Sequence, residues 1–384
     1  MHASVVAPSR SVRRSVDTVA GPTPFLALDL DVAVQRYTEL AVAFPGTAIH
    51  YAVKANPHPE LLSRLVGAGS CFDVASPAEL DACLRAGAAP GELVYSNPVR
   101  LRRDLVTAYR AGVRTYVVDS LPELDKLADE CPGAHVLCRL VTSGAGSDWP
   151  LSRKFGATEA ECVQILDRAD RIGLVAAGVA FHVGSQQREP ARWRPPIRQA
   201  SRVFAELRLR GLDPWLLDLG GGLPADHEGG HPPLERYART IDDELTKSFG
   251  ADRPQLLIEP GRAVAADAGV LVASVVGVCW RAGRRWIYLD VGVFSGLVET
   301  IGEAIRYRLE TSRSGGALGP AVLAGPTCDS VDVLYEQTPV QLPLDLAEGD
   351  RVWLRAAGAY TSSCSTVGFN GFAPLPTRLV RGPG

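Results

Sequence analysis

Among its charged residues this chain has least of lysine. Only four of its forty basic residues are lysines, at positions 54, 126, 154 and 247, and the other thirty-six are arginine. Arginine keeps its charge and cannot act as a nucleophile in water, whereas a desolvated lysine amine can. A chain that avoids lysine wherever a plain positive charge suffices makes each survivor a candidate for chemistry. The net charge is only −3, so no basic surface fit to grip a phosphodiester backbone is expected, and nucleic acid is disfavoured as a partner. No apolar run has the length of a membrane span, since the longest, Ala268 to Trp280, is interrupted by glycine and serine. The first twenty residues lack an apolar stretch of signal-peptide length, so 1–21 reads as a mobile N-terminal tail. The eight cysteines show no Cys-x-x-Cys spacing and read as reduced thiols of a cytoplasmic protein. Six of them, Cys71, Cys83, Cys131, Cys138, Cys162 and Cys279, are expected to be small buried hydrophobes. The stretch Asp226-His227-Glu228-Gly229-Gly230-His231 has metal-binding residue types, but its glycines and the following Pro232-Pro233 suggest an exposed loop, and no metal is expected.

What is present is enough apolar material, 46% of 384 residues, for one large barrel and a modest second domain. Residues 22–30 contain a short strand, and Asp31 to Phe44 has the spacing of an amphipathic helix. Short apolar strands then recur near 47–53, 70–74, 92–95, 114–118, 134–140, 173–183, 215–219 and 255–259, separated by helical segments. Eight strands alternating with helices predict an α/β fold, a parallel (β/α)8 barrel over 31–265. From 266 to 384 the pattern changes to strand-like runs (269–278, 285–290, 321–323, 331–335, 351–355) and predicts a mostly-β domain, with which the strand at 22–30 could pair.

Reactive groups of such a barrel collect at the C-terminal ends of its strands. Those ends carry Lys54, Asp73, Asn97, Asp119, Arg139, His182, Gly220-Gly221-Gly222 and Glu259. Lys54 closes the apolar run Ala48–Val53, where Asn56-Pro57 and Pro59 stop the strand and start a helix. Three successive glycines let backbone N–H groups close on an anion, and Glu259-Pro260-Gly261-Arg262 adds a tight turn with a cation. A nucleophilic lysine, a phosphate cradle and a carboxylate for a ring nitrogen together describe a site for pyridoxal 5'-phosphate.

Seven ordered motifs carry a closer resemblance: Tyr51–Asn56, Phe72–Ser76, Phe181–Ser185, Asp218–Gly222, Glu259–Arg262, Gly325–Asp329 and Gly358–Thr361. In series they resemble the fold-type III amino acid decarboxylases, the group of ornithine, lysine, arginine and diaminopimelate decarboxylases. Gly368-Phe369-Asn370-Gly371-Phe372 is most similar to the ornithine and lysine branch. The resemblance implies the alanine-racemase-like architecture of barrel plus β domain. It also implies that Lys54 holds the cofactor covalently, His182 stacks on its ring and Glu259 pairs with the ring nitrogen. Ser185, Gly220, Gly221, Gly222, Gly261, Arg262 and Tyr360 would surround the phosphate, while Asp73 and Arg139 support the lysine and the ring. Cys328 would return a proton to the substrate's Cα. By the same resemblance, Cys328 and Asp329 reach into a neighbouring subunit of a head-to-tail homodimer, and Lys154 pairs across its interface with Asp332.

A diamine-forming enzyme must neutralise a distal ammonium, and a buried ammonium needs carboxylates. Asp329 is the first candidate and Asp290 the second. A Cys-Asp pair rather than Cys-Glu favours L-ornithine or L-lysine over diaminopimelate. The segment Asp290–Gly296 departs from the usual ornithine-enzyme pattern and leaves the chain length of the substrate open, with arginine or a secondary-metabolite precursor as alternatives. A racemase of the same architecture predicts an arginine in place of Glu259. A non-catalytic homologue predicts lost cofactor contacts, yet Lys54, His182, Glu259, Arg262 and Cys328 are all present.

Overall fold

The computed structural model describes residues 21–151 and 153–381. The tail expected at 1–21 therefore lies almost wholly outside the described residues. Eighteen strands occur among them, and eight close into a parallel barrel: β2 (Thr47–Ala52), β3 (Cys71–Val74), β4 (Leu93–Tyr95), β5 (Thr115–Val118), β6 (His135–Arg139), β8 (Val175–Ala180), β10 (Leu216–Asp218) and β11 (Gln255–Ile258), which returns to β2. Each lies within a run expected from the sequence. β7 (Ser147–Trp149) and β9 (Ser185–Gln187) form a small antiparallel ribbon among the loops.

Local signals set the helix starts between the strands. Pro59 opens one helix at its first turn. Ser76 caps the next by accepting the Glu79 N–H at 3.2 Å, with Pro77 in the first turn. Thr158 and Glu161 exchange hydrogen bonds in a capping box that begins the helix Glu159–Arg171. Inside the barrel, Val94, Val117, Leu137, Ala177, Ala180 and Leu257 pack together, so the strands enclose a filled core and leave chemistry to their ends.

The second unit contains residues up to Gln35, Ala225–Gly230 and those from Val264 onward. Its spine is the 13-residue β12 (Gly269–Arg281). This strand pairs antiparallel with β1 (Phe25–Asp29), β13 (Arg284–Leu289) and β17 (Arg351–Leu354). β14 (Leu309–Thr311), β15 (Leu318–Ala324) and β16 (Val340–Pro343) extend the sheet, and β18 (Thr377–Val380) runs parallel to β1.

Two local expectations are corrected here. Val331–Tyr335 is not a strand but a turn with a single bridge from Val333 to Ala324, because the Asp332 side chain bends back to accept the N–H groups of Val293 (2.7 Å) and Thr327 (3.0 Å). Residues 226–231 form the expected loop, exposed at Asp226, Gly229 and His231, but His227 within it is not. Its ring is buried edge-on against Tyr307, and the neighbouring Glu228 pairs with Arg306 at 2.9 Å. Of the six cysteines read as buried, Cys83, Cys131, Cys138 and Cys162 are buried, while Cys71 and Cys279 are partly exposed. No helix among the described residues is long and apolar enough to cross a membrane.

Candidate active site

Lys54 sits in a single 3-10 turn, Val53–Ala55, one residue beyond β2. That turn swings the lysine off the strand, and Nζ meets the Asp73 carboxylate at 2.5 Å. Asp73, on β3, is buried, and its other oxygen accepts a hydrogen bond from Ser96 just after β4. Sequence reasoning had named the adjacent Asn97 at this strand end. Asp119, after β5, instead accepts the Gly156 N–H at 2.9 Å and so pins the loop that carries Lys154 and Phe155. Arg139 ends β6 with its guanidinium 5.4 Å from the Phe155 ring.

His182 follows β8. Its Nδ1 accepts the Gly184 N–H at 3.0 Å and its carbonyl accepts Thr142 Oγ1 at 2.5 Å, so ring and backbone are both fixed. Burial, then Arg139 and Lys54, push its pKa down to about 3. The ring is neutral at physiological pH, with its proton on Nε2.

The glycine run follows β10. Gly220 and Gly222 have φ of +66° and +107°, and a Cβ on them would stand 1.9 Å from the Phe181 carbonyl and 2.4 Å from the Gly184 carbonyl. A Cβ on Gly221 would stand 2.6 Å from the Glu259 carbonyl. No side chain fits anywhere in the run, so it presents bare backbone. Arg262 is buried beside it and donates to Ser185 Oγ from Nε (3.2 Å) and Nη2 (3.1 Å). Gly261 is buried in the same turn, whose Pro260 carbonyl accepts the Ala52 N–H at the end of β2.

Glu259, after β11, has one carboxylate oxygen, Oε1, buried without a hydrogen-bond partner. Burial first, then Asp73, raise its pKa, while Lys54, Arg139 and a hydrogen bond from Asp218 act in the opposite direction. Asp218 is buried at the end of β10, accepts the Gly220 N–H at 2.8 Å and has its pKa raised, by burial and then by Glu259 itself, to which it is hydrogen-bonded. The pair therefore holds a proton on Asp218, which donates it to Glu259 and leaves Oε1 as a free acceptor. Asp218 stood in the sequence as part of a motif without a role. Its position one strand from Glu259 was the available signal.

Cys328, Asp329, Asp290 and Tyr360 all belong to the β unit. Tyr360 lies in the loop after β17 with φ of +57°. Cys328 is exposed, and one oxygen of the half-buried Asp329 accepts the Val331 N–H at 2.9 Å. Asp290, expected as a second carboxylate for the substrate, is engaged within its own chain. One of its oxygens binds Thr23 Oγ1 at 2.5 Å and the other the Ser274 N–H at 2.8 Å. It clasps the segment before β1 to β12. Asp332, expected to pair with Lys154 of another subunit, is buried and engaged with Val293 and Thr327 of its own chain.

A family model described as the pyridoxal-dependent decarboxylase, pyridoxal binding domain, matches residues 30–266. The chain belongs to the pyridoxal-dependent decarboxylase family. It is 35% identical to the lysine/ornithine decarboxylase of Selenomonas ruminantium over 373 residues, 96% of this chain and 93% of that one. Among solved structures it is similar to the lysine/ornithine decarboxylase of Vibrio vulnificus complexed with putrescine (33% identity, TM-score 0.84, 96% of each chain). The arginine decarboxylase of Paramecium bursaria Chlorella virus is similar as well (29% identity, TM-score 0.88, 96% of this chain and 99% of that one). The cofactor of this decarboxylase is pyridoxal 5'-phosphate. The residues present fit it: a protonated ring nitrogen needs an acceptor, and Glu259 Oε1 is a buried one without a partner. A phosphate needs backbone donors and a cation, which the side-chain-free run Gly220–Gly222 and Arg262 provide.

Proposed function

We propose that the protein removes CO2 from a basic L-amino acid, L-ornithine or L-lysine, to give a diamine. The observation that carries this reading is the free Oε1 of Glu259, backed by a proton-holding Asp218. Pyridoxal phosphate, when bound, supplies a pyridinium ring that accepts the electron pair left as CO2 departs. Lys54 would hold the cofactor's aldehyde carbon, and Asp73 keeps its amine oriented at the barrel mouth. Glu259 accepts the ring N–H and keeps that nitrogen charged, which suits decarboxylation better than a reaction needing a weaker electron sink. His182, being neutral, can lie flat on the ring without adding a positive charge beside it. Ser185, Arg262, the glycine backbone of 220–222 and 261, and Tyr360 would receive the phosphate.

Cys328 gives its thiol proton to Cα after CO2 leaves. With Asp290 committed elsewhere, Asp329 is the carboxylate that meets the distal ammonium of the substrate. We also propose that the protein works as a homodimer in which Cys328 and Asp329 serve the partner's barrel and Lys154 faces the partner across the interface. A cytoplasmic location is part of the same reading, supported by eight cysteines without disulfide spacing.

The test is a screen of L-ornithine, L-lysine, L-arginine and meso-diaminopimelate for CO2 release, with chiral analysis of the recovered amino acid. CO2 and a diamine from ornithine or lysine are expected. Inverted amino acid without CO2, or release from diaminopimelate alone, would overturn the assignment.

A further inference from the structure

The loop that carries Cys328 is tied at both ends. At its base, Asp332 accepts Thr327 N–H and Oγ1–H at 3.0 and 2.7 Å, and Gly325 and Gly292 lie so close to that carboxylate that a Cβ on either would collide with it. At its tip, a single atom, Asn370 Oδ1, accepts both the Cys328 backbone N–H at 3.1 Å and the Cys328 thiol at 3.4 Å. Asn370 is itself fixed. Its φ is +50°, in the left-handed region that asparagine tolerates better than most residues, between Gly368 and Gly371, both also at positive φ. Phe369 stacks on Phe294 with ring centroids 4.4 Å apart, and the Phe294 carbonyl accepts both N–H and Oγ1–H of Thr366 at 2.9 and 2.7 Å. One continuous chain of contacts therefore runs from Phe294, in the segment that departs from the usual ornithine-enzyme pattern, through Phe369 and Asn370 to the sulfur.

We propose that Asn370 is the positioning residue of the Cys328 thiol, and that through it the Phe294–Phe369 stack governs where the proton of each turnover goes. The inference rests on Cys328 being the acid proposed above. An acceptor facing S–H while its other bond holds the Cys328 backbone fixes the direction of the thiol and shields the sulfur. Asn370 thus keeps the acid in one orientation, and a rotation about the cysteine Cα–Cβ bond releases it to the substrate. Without this hold, the thiol is less often present as an oriented acid when CO2 leaves. The proton then goes to the cofactor side, the amino nitrogen stays on the cofactor, and water supplies the oxygen of an aminoaldehyde released in place of the diamine.

Asn370→Gly is the decisive variant, since glycine accepts φ of +50° without strain and deletes only the acceptor. The first readout is peptide-resolved alkylation of Cys328 by iodoacetamide in the cofactor-free protein at one mildly alkaline pH. The second is the ratio of aminoaldehyde to diamine during turnover of the holoenzyme. Loss of one hydrogen bond should speed alkylation about threefold to tenfold and raise the aldehyde share. Asn370→Asp keeps the acceptor, adds a negative charge beside the sulfur, and should alkylate more slowly than the parent with an aldehyde share no higher. Should the glycine variant fail to fold, Phe294→Ala, which leaves Asn370 in place but removes its anchor, should move both readouts in the same direction by a smaller factor. Parent-like alkylation in Asn370→Gly overturns the tether whatever the substrate, and faster alkylation with an unchanged aldehyde share overturns the delivery role. Absence of CO2 release by the parent protein overturns the reading of the site on which the proposal rests.

Discussion

In the barrel, Lys54 pairs with Asp73 and Asp218 with Glu259 across neighbouring strand ends, and Glu259 Oε1, Asp73 and Asp218 are buried. In the β unit, Cys328 is exposed on a loop steered by one carboxylate and one amide, and Asp329 is only half-buried. The same chain therefore sets a frame of charges with buried carboxylates around the exposed Lys54 in one place and an exposed, hydrogen-bonded thiol loop in the other. Charge that must stay fixed through every turnover belongs in the frame.

The sharpest way to break this contrast is to remove the amine at the centre of the frame. Lys54→Ala should lower turnover by ~10³-fold or more, the scale on which a reacting group is missed. Borohydride reduction followed by peptide mapping should place a pyridoxyl adduct on Lys54 in the parent, and an aldimine absorption band persisting in the variant would show that another amine holds the cofactor.

Glu259→Gln should cost about 10²-fold in turnover, as the loss of one preorganised charge partner does. It also tests the frame without cofactor. Glu259 has a folded pKa raised from 4.5 to about 7 by burial, so the folded protein binds its proton more tightly than the unfolded chain. That preference favours the fold at low pH and is lost as pH climbs through this window. Relative to the parent, the cofactor-free glutamine variant should therefore gain up to about 3 kcal/mol between the two ends of the window. Urea unfolding at several pH values reads this directly, and a gap that does not change with pH would mean the carboxyl is not dehydrated.

The smallest effect should come from the β unit. Asp290→Ala breaks the clasp to Thr23 and Ser274 and should destabilise the protein by about 1–2 kcal/mol. The ratio of kcat/KM for ornithine and lysine should stay as in the parent. A changed ratio would return Asp290 to the substrate pocket.

The barrel was legible because its code is local. Eight apolar runs alternating with helical segments give the strands, and a polar residue at the end of each gives the reacting face. Where the reading failed, the deciding partner was remote or the alternation ambiguous. Asp290 reads as a free carboxylate until Thr23, at the other end of the sequence, is brought to it. Val331-Asp332-Val333-Leu334-Tyr335 has a strand's alternation, yet Asp332 points inward to hold a turn. His227 looked exposed because nothing in the sequence announces the Tyr307 ring that covers it. Ser96 was missed by one position, and Asp218 was visible as a motif residue with no hint that it shares a proton with Glu259.

β12 has a consequence for how the molecule is made. Phe25 finds its strand partner at Val272, and β1 completes its pairing only with β18, so the first strand among the described residues waits for the last. All eight barrel strands leave the ribosome before any neighbour of β1 exists. During that interval an apolar strand has no sheet to join, and its unpaired edge is open to pairing with another molecule.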